Sequence, residues 1–79
     1  MGRPKKTNSM RKTTIIEGVE YKKAIIRKDL LEEQVAVPVG KNYYTSPEPR
    51  PYRWRDEEFE IFLNGAWHLS ESIDWEFQD

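Results

Sequence analysis

The stretch Phe59-Glu60-Ile61-Phe62-Leu63-Asn64-Gly65-Ala66-Trp67-His68-Leu69 decides how this chain folds. Phe59, Ile61 and Leu63 are apolar at every second position, the period of a strand with one buried face. Asn64-Gly65 follows directly. Both central residues of a type I′ turn need positive φ, which asparagine tolerates and glycine adopts freely, so this dipeptide is the strongest short hairpin signal. A two-residue loop also sets the register: Leu63 should face Ala66, Phe62 should face Trp67, and Ile61 should face His68.

Past the turn, Trp67, Leu69, Ile73, Trp75 and Phe77 continue at odd positions with only Glu71 interrupting, a period of two that predicts strand with one apolar face. Ser70 and Ser72 mark a bend or bulge that divides the run into two shorter strands. Upstream, Ser46-Pro47-Glu48-Pro49-Arg50-Pro51 has proline at every second position and reads as an extended connector over residues 46–51. Val35-Ala36-Val37-Pro38-Val39 reads as an edge strand, since proline donates nothing to a ladder, and Gly40-Lys41-Asn42 as a turn. Thr13-Thr14-Ile15-Ile16 and Val19 to Ile26 suit two strands around a turn at Gly18. Residues 22–34 stay ambiguous, because Ala24, Leu30, Leu31 and the charged residues between them are good helix formers.

Together these elements predict a mainly β chain: one small antiparallel β domain over residues 13–79, as a partly open barrel, SH3-like in type, or a meander. It carries at most one short helix. A chain of 79 residues buries only about 60% of the surface its unfolded form exposes. With no cysteine and one histidine it has neither a disulfide staple nor a thiolate or His-rich metal site, so no metal and no cofactor is expected. Three Trp, four Tyr and three Phe must supply the packing. No apolar run approaches the roughly 20 residues that span a bilayer, and the basic N-terminus is not followed by a signal-peptide core. A cytoplasmic protein without a membrane partner is expected.

Charge is segregated along the chain. Residues 1–28 carry a net +7, residues 29–55 balance, and residues 56–79 carry eight acids and no Lys or Arg. Residues 1–12 contain Arg3, Lys5, Lys6, Arg11 and Lys12, no acid and almost nothing apolar, and are expected to form a flexible arm able to release counterions from phosphates. Within it, Gly2-Arg3-Pro4-Lys5-Lys6 resembles the Gly-Arg-Pro core of the AT-hook family, although Met1 stands where that family usually has arginine. The resemblance implies that Arg3 reads the narrow minor groove of A/T-rich DNA while Lys5 and Lys6 meet phosphates. The opposite ends could instead neutralise one another, a strand near residue 20 pairing with an acidic C-terminal strand.

Catalytic arrangements fail on geometry. His68, Ser70, Ser72 and Asp74 alternate on one strand, where same-face neighbours are about 6.6 Å apart, too far for a triad. The acids Asp56, Glu57, Glu58, Glu60, Glu71, Asp74 and Glu76 lack the spacing of a calcium loop and read first as a solvated face. A row of carboxylates beside exposed aromatics is also a surface that docks on a basic protein. Tyr52, Arg53, Trp54 and Arg55 interleave rings with guanidinium groups, the types most enriched at interface hot spots. On a strand, Tyr52 and Trp54 would share one face and Arg53 and Arg55 the other. The plain alternative is that the rings close the core while the arginines pair with neighbouring acids.

The expectation is therefore a non-catalytic accessory protein of a nucleoprotein assembly. Its arm contacts nucleic acid, and its body docks a protein partner through Tyr52, Arg53, Trp54, Arg55, Asp56, Glu57, Glu58 and Glu60. The alternative is a purely protein-binding role, as an assembly or virion component or as an inhibitor that blocks a basic groove. Self-association is left open.

Overall fold

Strands β6 (Glu58–Leu63) and β7 (Ala66–Leu69) form the hairpin in the register that the two-residue loop demands: Leu63 opposite Ala66, Phe62 opposite Trp67, Ile61 opposite His68. Asn64 takes φ 55° and Gly65 φ 81°. The computed structural model describes residues 12–78. Arg3, Lys5, Lys6, Arg11 and the AT-hook-like element lie outside the described residues, and Lys12 is exposed at their start.

The remaining elements, in chain order, are β1 (Thr13–Ile16), β2 (Val19–Ile26), α1 (Lys28–Glu32), β3 (Val37–Val39), β4 (Asn42–Tyr44), β5 (Arg50–Arg55), a 3₁₀ turn (Ser72–Asp74) and β8 (Trp75–Phe77). All strand pairs are antiparallel. The main sheet runs β1-β2-β5-β6-β7, with β8 joining β2, while β3 and β4 form a separate hairpin. The sheets do not close into a barrel, and β5-β6-β7 is a meander. The chain is thus small, mainly β and antiparallel, with one short helix among the described residues. That helix is too short to cross a membrane.

The ambiguous residues 22–34 divide between both states. Ala24 is paired on both sides, with Arg50 of β5 and with Phe77 of β8, so this segment is central strand as far as Ile26. Long-range ladders here outweigh local helix propensity. The five-residue α1 then ends in a Schellman motif: Gln34 sits at φ 58°, its N–H donates to Leu31, and the Val35 N–H donates to Leu30. The pairing of β2 with β8 also places the acidic C-terminal strand beside the basic one, and the Arg27 guanidinium donates to the Ile73 carbonyl at 3.0 Å.

Ala24, Ile26, Val37, Val39, Phe59, Ile61, Leu63 and Trp75 form the core, with Leu30, Leu31, Tyr44 and Tyr52 packed against it. The β3-β4 hairpin covers one face of the sheet. Val37 and Val39 point inward while Pro38 faces out, and the Pro38 carbonyl accepts from Ser70 Oγ at 2.7 Å. Ser70 Oγ also accepts from Trp75 Nε1 at 3.0 Å, tying hairpin, bend and last strand together.

Three local expectations need correction. The odd positions from 67 to 77 do not share a face: Trp67 lies opposite Phe62, Trp75 enters the core, and Ile73 is 71% exposed. The 3₁₀ turn at Ser72–Asp74 shifts the phase between β7 and β8. The connector is shorter than residues 46–51, because Arg50 and Pro51 belong to β5, where they face Ala24 and Lys23. Asn42, read as the end of a turn, instead opens the strand β4 (Asn42–Tyr44).

Candidate functional site

Alternation along β5 sends Arg53 and Trp54 to opposite faces of the sheet, as the period of two requires. On one face, Arg53 meets its cross-strand partner Glu60, Nε to Oε1 2.6 Å, and its guanidinium lies 4.3 Å from the centre of the Trp67 ring. Tyr21 and Phe62 flank Trp67 at 4.8 and 5.1 Å between ring centres. The hydrogen bond to Glu60 is the main reason that the Arg53 pKa rises above its ordinary value. Glu60 is only 8% exposed. Arg53 and Glu60, both named as partner-binding from sequence, are therefore engaged with each other.

On the other face, Tyr52 is half-buried against Phe59 and Phe77, with ring centres 5.6 and 4.8 Å away. Trp54 packs edge-on against Phe59 at 5.3 Å yet stays 53% exposed. Beyond it the chain turns tightly at Asp56 (φ 58°), and the exposed residues Asp56, Glu57 and Glu58 lead into β6. Arg55 is exposed opposite Glu58, and the two form no ion pair.

A cleft of about 270 Å³ opens here, lined by Trp54, Glu57, Glu58 and Phe59 on one side and by Leu69, Ser70, Glu71 and Ser72 on the other. Leu69 is 50% exposed. Among the described residues, Glu57, Glu58 and Glu71 make no side-chain hydrogen bond or ion pair. The sequence joins Trp54 to Glu57 and Glu58 and counts Glu71 among the acids of a docking surface, but does not bring in Leu69. The signal was available: extending the hairpin register from Asn64-Gly65 sets Glu60 opposite Leu69, and so brings residues 69–72 back beside residues 57–59.

Other features are occupied or diffuse. His68 and Ser70 are held apart in separate interactions, His68 Nε2 lying 3.2 Å from the Leu63 carbonyl and Ser70 between Pro38 and Trp75. Arg50 lies 5.7 Å from the Tyr44 ring centre, donates from Nε to the Tyr44 hydroxyl at 3.2 Å, and pairs with Glu48 at 3.4 Å. A wider hollow of about 680 Å³ beside α1 is lined by Leu31, Pro47, Thr45 and the aliphatic stems around them. Among the described residues, no three His, Asp or Glu side chains converge as a metal ion would require.

No protein-family model matches this chain, and neither a curated protein nor a solved structure is significantly similar to it.

Proposed function

We propose that this protein is a non-catalytic accessory component of a nucleoprotein assembly, its basic arm on nucleic acid and its β body docked on a protein partner. The observation that carries the docking half is the exposure of Trp54, 53%, in a cleft edged by Glu57, Glu58 and Glu71. Tryptophan is among the residue types that dominate interface energetics. The body therefore presents an apolar anchor inside a negative field, and the arm presents Arg3, Lys5, Lys6, Arg11 and Lys12 with no acid among them.

Titration of the full-length protein with duplex DNA tests the nucleic-acid half. If all five cations meet phosphates, log affinity falls with log salt at a slope of about −4.5. Neutralising the five to glutamine should abolish binding; a slope near zero, or binding that survives the substitutions, would sink this half.

The run of exposed acids Asp56, Glu57 and Glu58 favours one second reading, an inhibitor that covers a basic groove. On that reading, changing those three to amides releases the partner while the arm substitutions leave it bound.

A further inference from the structure

We infer that the cleft beside Trp54 is a binding site for an arginine side chain presented by a basic segment of a partner protein. This deepens the docking half of the function proposed above and rests on it.

The fold contains its own example of the chemistry. On the opposite face of β5, the Arg53 guanidinium lies over an indole ring, 4.3 Å from the Trp67 ring centre, and is fixed by a carboxylate, 2.6 Å to Glu60. The cleft assembles the same acceptors. Trp54 meets Phe59 in a T-shaped contact and keeps more than half of its surface open, and Glu57, Glu58 and Glu71 line the same space. None of these three carboxylates is paired among the described residues.

Charge complementarity sets the class of partner. The residues lining the cleft include three carboxylates and no Lys or Arg, a set that repels phosphate and attracts a cation. Arginine fits better than lysine. Its planar guanidinium stacks on indole and offers a fork of N–H donors to carboxylates, whereas the ammonium of lysine is a compact, strongly hydrated point charge. The cation comes from another chain, because the arm's own cations belong to phosphate in the function proposed above.

The test is titration of the full-length protein with three Gly/Ser peptides, identical except for spaced arginines, lysines or citrullines, followed by calorimetry and by the indole N–H resonance of Trp54. The arginine peptide should bind and shift that resonance, the lysine peptide should bind several-fold more weakly, and the uncharged citrulline peptide should not bind. Trp54→Leu should weaken the arginine peptide about tenfold, and Glu57→Gln with Glu71→Gln by a similar factor. The glutamine pair changes only exposed side chains, so it keeps the test decisive if Trp54→Leu fails to fold.

Binding that tolerates citrulline or ignores both variants overturns the inference. If neutralising the arm tightens the arginine peptide about tenfold, the cleft belongs to the chain's own arm, and the partner assignment is equally overturned. The DNA titration is an independent readout. Normal DNA binding without peptide binding defeats this site alone, and the reverse result defeats only the nucleic-acid half of the proposed function.

Discussion

Replacing Arg53 with methionine keeps an unbranched stem against Trp67 but removes the only described ion-pair partner of Glu60. The Glu60 carboxylate is then left 8% exposed, with its 2.6 Å hydrogen bond gone. Breaking a buried pair by removing one partner costs about 3–5 kcal/mol, and the lower end applies because the Arg53 side chain is 27% exposed. A loss of about 3 kcal/mol is severe in a chain of 79 residues, whose total stability should be about 4–12 kcal/mol. It corresponds to a fall of roughly 12–24 °C in Tm. Glu60→Gln should cost less, about 1 kcal/mol, since the guanidinium can turn toward water. Combining the two removes both charges, so the double variant should be more stable than Arg53→Met alone. Urea unfolding of all four proteins, followed by circular dichroism, supplies the cycle. An Arg53→Met loss below about 0.5 kcal/mol, or additive single effects, would refute a coupled, shielded pair.

Two further outcomes follow from the geometry. At Gly40, φ is 64° and an added Cβ would come within 2.8 Å of His68 Nδ1, whereas at Gly65 nothing lies within 4 Å. Gly65→Ala should cost only the left-handed strain, about 1–2 kcal/mol, and Gly40→Ala about 1–3 kcal/mol more, part of it recovered by His68→Ala, as thermal melts would register. The Asp29 carboxyl is held below its ordinary 3.8 by the hydrogen-bonded Arg27 guanidinium. A depressed folded-state pKa stabilises above the unfolded value and loses that effect as pH falls through the folded one. The stability gap between wild type and Asp29→Asn should therefore be constant near neutrality and shrink below about pH 4; a gap that widens in acid would contradict the pairing.

What the sequence made legible was local chemistry. Asn64-Gly65 with alternating Phe59, Ile61 and Leu63 yields the hairpin and its register, and Pro38 marks an edge strand whose flanking valines turn inward. The opposite orientation of Trp54 and Arg53 follows from strand alternation alone. Ladders between distant segments were only partly legible: charge suggested that a strand near residue 20 meets an acidic C-terminal strand, as β2 meets β8, but no residue near β2 announces β5 as its other partner. The 3₁₀ turn at Ser72–Asp74 was hidden for a related reason. Its serines signalled a bend, but the phase shift that exposes Ile73 depends on Trp75 docking into the core and bonding to Ser70. At the site, composition grouped Glu60 with Asp56, Glu57 and Glu58, yet its place opposite Arg53 turns that one carboxylate into an internal partner.

The central claim is a division of labour, with the arm on nucleic acid and the Trp54 cleft on a protein. Its most direct test is purification of the tagged full-length protein from its own cells, with and without nuclease, beside Trp54→Leu and the arm-neutralised variant. The account predicts a stoichiometric protein that survives nuclease and is lost with Trp54→Leu, and nucleic acid that is lost only with the arm charges. A partner indifferent to Trp54, or nucleic acid retained without the arm charges, would contradict it.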